Sequence, residues 1–371
     1  MLDWRFDCNE CYKAALWEKN LQRNQDSPAQ VRMRPVAGDD QFIETDFIVD
    51  TKFLGQTGLQ VSKLCFGTMS FGGDADADES ARMFSACRDA GINFFDCADI
   101  YSKGVAEQIL GELIQDSRDE LVITSKCFGP MGTDVNSGGA NRRHILHAVE
   151  QSLKRMKTDR LDVLFMHRWD DNVPLEETLR ALEKLVADGK VLYLGASNYA
   201  AWQLAKGLGI SQLRGWPRFD VIQPMYSLVK RQAEVEIFPL ARAENLGVIS
   251  YSPLGGGLLS GKYNAKDRPQ SGRLVENDMY SARYGEPSVY QTAEAFTALA
   301  DQRGVHPVSL AIAWAGANPA VTCPIIGARN VDQLQPALQS ASVEMTDELY
   351  SAVSALSKTP APATDRLEEQ S

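Results

Sequence analysis

Residues 161–198 read Leu161-Asp-Val-Leu-Phe-Met-His167, a polar link, Leu175-Glu-Glu-Thr-Leu-Arg-Ala-Leu-Glu-Lys-Leu-Val-Ala187, a short turn, and Val191-Leu-Tyr-Leu-Gly-Ala-Ser-Asn198. The outer pieces are short apolar runs and predict strands over Leu161–His167 and Val191–Ala196. In the middle piece Leu175, Leu179, Leu182 and Val186 recur at helical spacing and give one apolar face. Strand, helix and strand at this length make a βαβ unit, whose strands run parallel because the helix carries the chain back.

The alternation repeats in both directions. Further strands are predicted at Leu64–Met69, Ile92–Ala98, Leu121–Cys127, Phe219–Pro224, Val248–Ser252 and Val321–Ile326, eight in all. Helices are predicted at Asp78–Ala90, Val105–Ile114, Arg142–Met156, Ala201–Leu208, Glu236–Asn245, Val289–Gln302, Val308–Ala317, Val331–Gln339 and Asp347–Ser357. Phe53-Leu-Gly-Gln-Thr-Gly-Leu59 predicts a hairpin, and the Gly-rich, polar residues 255–287 a long loop. Eight βα units with apolar strands predict an α/β fold closed as a (β/α)8 TIM barrel, with the hairpin closing the barrel bottom and a C-terminal helix. The rival, an open doubly wound sheet, calls for a G-x-G-x-x-G turn after the first strand. Phe71-Gly-Gly-Asp74 does not supply it.

Residues 1–50 are polar, mixed in charge and largely aperiodic, with Cys11–Leu21 their one candidate helix. They predict an N-terminal extension with the composition of a disordered segment. The barrel domain is expected over residues 51–358 and a flexible tail over 359–371. A net charge of −11 argues against a nucleic-acid or anionic-membrane surface, although a basic pocket can sit on an acidic protein. Seven irregularly spaced cysteines predict thiols in a reducing compartment, and the lone Cys8–Cys11 pair lacks the partners of a zinc site. No run is long and apolar enough to span a bilayer, and Asp3, Asp7 and Glu10 do not suit a secretory or transit peptide. The expected location is cytoplasmic.

In such a barrel, functional groups sit at the carboxyl ends of strands. Asp96 ends the second strand, with Tyr101 in the loop that follows; Lys126 ends the third and His167 the fourth. Singly, each has a bland reading as a cap, a solvated cation or a packing residue. Together they form a proton donor. A phenol has a reference pKa of about 10, an adjacent ammonium favours its ionised form, and a carboxylate stabilises a buried ammonium. Histidine can orient a substrate oxygen. Ser197, Asn198, Gln223, Tyr251 and Ser252 occupy the ends of the next three strands.

Gly91-Ile-Asn-Phe-Phe-Asp-Cys-Ala-Asp-Ile-Tyr101 resembles the signature of the aldo-keto reductase family. Leu121–Lys126, Leu161–His167, Gly189–Asn198, Ile249–Leu254 and Pro324–Arg329 resemble its other motifs, in order, from Phe53 to Leu356. The resemblance implies an oxidoreductase that reduces aldehydes or ketones by hydride transfer from NADPH. It implies a tetrad of Asp96, Tyr101, Lys126 and His167, with Tyr101 as general acid. Tyr251 would stack on the nicotinamide, and Ser197, Asn198 and Gln223 would bind its carboxamide. Ser252, Leu254, Gly257, Ser260 and Lys262 would line the pyrophosphate. Gly327, Arg329 and Gln333 would hold the adenosine end, with the Arg329 fork on a 2′-phosphate. Pro336 and Ala337 depart from the acidic or amide pair usual there, which implies a different contact to adenine.

Met69, Phe128 and Trp169 are expected to line the substrate pocket, and Cys97 and Cys127 to face away from the barrel axis. Two other readings are an NADPH-binding regulatory subunit, as in relatives that modulate ion channels, and a Schiff-base role for Lys126. The partner expected is a small carbonyl compound.

Overall fold

The structure is a computed structural model that describes residues 48–263, 274, 277–366 and 368. Apart from residues 48–50, the expected N-terminal extension lies outside the described residues, as do its Cys8–Cys11 pair and its Cys11–Leu21 helix. Strands β1 (Thr51–Phe53) and β2 (Gln60–Ser62) form the expected antiparallel hairpin. Then come β3 (Cys65–Gly67), β4 (Phe94–Asp96), β5 (Val122–Cys127), β6 (Leu161–Met166), β7 (Val191–Ser197), β8 (Phe219–Gln223), β9 (Gly247–Ser250) and β10 (Cys323–Ile326). β3 to β9 pair in chain order, all parallel, and β10 lies between β9 and β3 to close the eight-stranded barrel. The chain is a (β/α)8 barrel, as its sequence predicts.

Side chains alternate across each strand, and this places the site. Phe94, Val122, Val163, Phe165 and Val221 point inward into one apolar cluster with Leu54, Val61, Cys65, Ile249 and Cys323. Continuing the same alternation by two or four residues brings Asp96, Thr124, Lys126, His167 and Gln223 to the upper, carboxyl end of the barrel. Cys97 and Cys127 belong to the outer layer between strands and helices. Leu54, from the hairpin, fills the lower end. Its neighbour Gly55 has φ +55, and a Cβ there would lie 2.4 Å from the Gly247 nitrogen, so only glycine lets the hairpin approach β9 so closely. Tyr193 Oη donates to the Thr57 carbonyl at 2.8 Å and ties the hairpin to β7.

The helices are α1 (Ala77–Asp89), α2 (Val105–Leu113), α3 (Arg142–Met156), α4 (Leu175–Ala187), α5 (Ala201–Arg214), α6 (Ile237–Ala243), α7 (Asp278–Tyr284), α8 (Pro287–Arg303), α9 (Pro307–Ala317), α10 (Val331–Leu338) and α11 (Asp347–Ser354). Asp76, Asn141, Asn330 and Thr346 cap α1, α3, α10 and α11 through their side chains. The C-terminal helix α11 docks through buried Leu349 and Val353 and through Trp314 Nε1 donating to Ser354 Oγ at 2.9 Å.

Among the departures from the sequence reading, three stand out. α5 continues past Leu208 to Arg214, through Gly209. A Cβ at Gly207, inside the expected helix, would meet the Phe219 ring at 3.0 Å, so this glycine serves close packing on β8. β4 is three residues long where seven were expected, although Cys97 and Asp99 still donate to the Thr124 and Lys126 carbonyls. α7 lies inside the stretch expected as loop. Residues 359–366 form no helix or strand, and no helix among the described residues is long and apolar enough to cross a membrane.

Candidate active site

The tetrad residues converge at the upper end of the barrel. Lys126 is fully buried, and its Nζ donates to Asp96 Oδ2 and the Cys97 carbonyl, each at 2.6 Å, and to Tyr101 Oη at 3.3 Å. Asp96 Oδ1 accepts from Thr124 Oγ1 at 2.7 Å and Gln223 Nε2 at 2.9 Å, so the buried carboxylate is paired on both oxygens. The Tyr101 and His167 rings meet edge to face, with centroids 6.1 Å apart. The lysine is a donor to the phenol oxygen, so the phenol's own hydrogen is left to point elsewhere.

Burial opposes the charge on Lys126, but the Asp96 carboxylate and the Tyr101 oxygen outweigh it and hold the ammonium above its ordinary range. Burial pushes the Tyr101 hydroxyl up to about 12, with Lys126 as the main counterweight. The expected depression by the ammonium is therefore present but loses to desolvation, and the phenol is protonated at neutral pH. Burial, then the charges of Lys126 and Arg168, bring His167 down to about 3, so its imidazole is neutral.

These groups open into a cleft of about 1190 Å³ that runs across the top of the barrel. That exceeds a typical single-ligand pocket and leaves room for two molecules side by side. All the sequence-predicted site residues line it except Lys126, which stands behind Tyr101. Tyr251 Oη donates to Asn198 Oδ1 at 2.7 Å, and Asn198 Nδ2 donates to the His167 carbonyl at 2.9 Å and to Ser197 Oγ at 3.1 Å. Asn198 and Ser252 hold positive φ values of 57° and 59°, which turn the chain sharply at both strand ends. Next to Ser252, Gly255, Gly256 and Gly257 all have positive φ, and a Cβ on cleft-lining Gly257 would meet nothing nearer than 3.8 Å. Backbone is thus open to the cleft beside Leu254, Ser260 and Lys262, as a phosphate-bearing ligand requires.

At the far end, Arg329 Nε pairs with Asp74 Oδ2 at 3.0 Å, and the Arg329 amide donates to Gln333 Oε1 at 3.4 Å. The Val331 amide, at the start of α10, donates to Glu79 Oε1 at 2.7 Å. Gly327, Pro336 and Ala337 complete this end. A ring acceptor, amide and hydroxyl donors, an open glycine turn and a terminal guanidinium in one continuous cleft fit an extended dinucleotide.

Met69, Phe128 and Trp169 line the cleft near Tyr101 and His167, as expected. The sequence reading did not include Met279, Tyr280 and Arg283 of α7, which line it as well. A signal was available: Asn277 caps α7 by accepting from the Met279 and Tyr280 amides, and Tyr280 and Tyr284 stand one turn apart. Arg168 and Asp74 were also not singled out. A Schiff-base role fits Lys126 poorly, because that chemistry needs a neutral amine and Asp96 holds this one charged.

The profile of the aldo/keto reductase family matches residues 63–358, and the chain belongs to that family. It is 36% identical over 313 residues to the uncharacterized oxidoreductase YrpG of Bacillus subtilis, covering 80% of this chain and 92% of that protein. It is 36% identical over 304 residues to a probable voltage-gated potassium channel subunit beta of Arabidopsis thaliana, covering 79% of this chain and 91% of that one. It is 32% identical over 307 residues to norsolorinic acid reductase of Aspergillus flavus, covering 78% and 76%. The family, the Bacillus oxidoreductase and the Aspergillus reductase support an oxidoreductase acting on carbonyl compounds.

Proposed function

We propose that this protein is an NADPH-dependent reductase of aldehydes or ketones in which Tyr101 gives its proton to the carbonyl oxygen. The observation that carries this reading is the contact of a buried, Asp96-paired Lys126 with the Tyr101 oxygen at the floor of the cleft. Ser197, Asn198 and Gln223 would hold the carboxamide of NADPH, Tyr251 its ring, and Ser252, Leu254, Gly257, Ser260 and Lys262 its pyrophosphate. Gly327, Arg329 and Gln333 would hold the adenosine phosphate, with Arg329 leaving Asp74. When bound, this cofactor supplies the hydride.

Neutral His167 donates a hydrogen bond to the substrate oxygen and orients it toward Tyr101. As the phenol loses its proton, the ammonium 3.3 Å away stabilises the phenolate, and Asp96 keeps that ammonium in place. Met69, Phe128 and Trp169 present an apolar wall to the substituent of a small carbonyl substrate. Cys65, Cys87, Cys97, Cys127 and Cys323 are free and buried, which supports a reducing, cytoplasmic setting. The net charge of −11 supports neither a nucleic acid nor a membrane as partner.

The test is NADPH binding followed by fluorescence, together with aldehyde-dependent NADPH oxidation. Both are expected; binding without oxidation of any aldehyde or ketone in a broad panel counts against the reading. The similarity to proteins named as potassium channel beta subunits favours a second one, a cofactor-binding regulatory subunit. A partner protein retained only by the chain carrying residues 1–50, with negligible turnover, would select it.

A further inference from the structure

Arg168 follows His167 directly and lines the cleft beside it. Its guanidinium lies over the Phe128 ring, 4.9 Å from the centroid. It is exposed and has neither a carboxylate nor a hydrogen-bond partner among the described residues. The neighbouring carboxylates are engaged by other donors. Asp170 accepts from the Ala140 and Asn172 amides, at 2.8 and 3.0 Å, and Asp171 accepts from Trp169 Nε1 at 2.8 Å. Most other guanidinium groups of this acidic protein are paired: Arg118, Arg142, Arg155, Arg160, Arg218 and Arg329 all meet carboxylates. An unpaired cation stacked on an aromatic ring, beside a catalytic centre, is a preformed anion receptor with a flat apolar surface next to it.

The aromatic surface extends beyond Phe128. Trp169 packs edge to face against Tyr199 and Trp202, with centroids 5.4 and 5.6 Å away. Trp202 is 60% exposed, so this apolar patch extends from cleft-lining Trp169 to the surface. A substrate whose carbonyl carbon is presented to Tyr101 and His167 would meet Phe128, Arg168 and Trp169, which line the same cleft.

We propose that the substrate side of the cleft selects aromatic carbonyl compounds that bear an anionic group, with Arg168 binding the anion while Phe128 and Trp169 flank the ring. This deepens the reductase reading and rests on it for the orientation of the carbonyl. The chemistry asked of Arg168 is binding alone, and a carboxylate or a phenolate on the ring would satisfy it. The guanidinium contributes a charge-assisted hydrogen bond, which implies a preference of about tenfold or more for the charged ring over the uncharged one.

The experiment uses the full-length chain and the variants Arg168→Met and Arg168→Lys. The probes are benzaldehyde and its 2-, 3- and 4-carboxy derivatives as substrates, with benzyl alcohol and the matching carboxybenzyl alcohols as binding ligands. Binding to the protein–NADP+ complex is followed by tryptophan fluorescence, which Trp169 and Trp202 report. In the wild type at least one carboxylated compound is expected to bind, and to give a kcat/KM, about tenfold or more above its uncharged parent. That ratio should collapse toward one in Arg168→Met, persist in part in Arg168→Lys, and shrink as salt is raised. A wild-type ratio near one for every isomer, or a ratio that Arg168→Met leaves intact, overturns the proposal. Turnover of none of the aldehydes would count against the reductase reading alone, because the binding ratios decide the role of Arg168 without it.

Discussion

Replacing Asp99 by Asn should stabilise the protein at neutral and alkaline pH and far less in acid. Asp99 lies in the loop between Asp96 and Tyr101, is fully buried, and has no hydrogen-bond partner on either carboxyl oxygen among the described residues. Burial, then the charge of Glu107, push its pKa up to about 7 against the pull of Arg155, the adjacent Ile100 backbone and Lys126. An unfolded chain would show a value near 3.9. The gap is about 3 units, or at most about 4 kcal/mol at 1.36 kcal/mol per unit. Local relaxation in this charged neighbourhood should reduce it to about 2 kcal/mol. Between pH 4 and 7 the folded state keeps a proton that the unfolded chain has lost, so wild-type stability falls across this window and levels off above it. Asparagine does not titrate. Denaturant unfolding of both proteins at pH 4.5, 6 and 8 measures the difference. The advantage of Asp99→Asn should grow by about 1 kcal/mol from the lowest to the highest pH, part of it being present already at pH 4.5. An advantage that does not change with pH would refute the reasoning.

Lys126→Met leaves the Asp96 carboxylate buried without its cation, so it should cost about 3–5 kcal/mol of stability and abolish reduction; thermal unfolding and NADPH oxidation read the two effects. Asp74→Asn frees Arg329 from its ion pair and should tighten NADPH binding several-fold without tightening NADH, as measured by fluorescence titration of both. With Tyr101 pushed up to about 12 and His167 down to about 3, neither group changes charge near neutrality. The donor must be protonated, so reductive turnover should lose activity only as pH approaches the phenol's value, and a profile from pH 5 to 9 should be flat; a limb near 6.5 would mean that His167 titrates.

The barrel was legible because strands buried on both faces show as continuous apolar runs, and the helices between them carry clear 3.6-residue faces. The convergence of Asp96, Tyr101, Lys126 and His167 was legible because Asp96, Lys126 and His167 end consecutive strands, where alternation turns them inward. Other features depend on distances that no local pattern carries. The Asp74–Arg329 pair joins residues 255 positions apart. That Gly207 makes room for the Phe219 ring beneath it is likewise invisible in the sequence. The upward shift of Tyr101 comes from burial by surrounding side chains, whereas its two nearest charged groups pull in opposite directions. α7 was the avoidable miss, since Asn277 and the Tyr280–Tyr284 pair announce a helix inside the Gly-rich stretch.

The central claim is that Tyr101 is the proton donor in a cofactor-loaded cleft. Tyr101→Phe removes one oxygen and keeps the ring against His167. The decisive measurement compares wild type and Tyr101→Phe in aldehyde-dependent NADPH oxidation, with NADPH affinity measured on the same samples. A loss of at least about a hundredfold in kcat is expected, with NADPH affinity unchanged. Turnover that survives the substitution would contradict it.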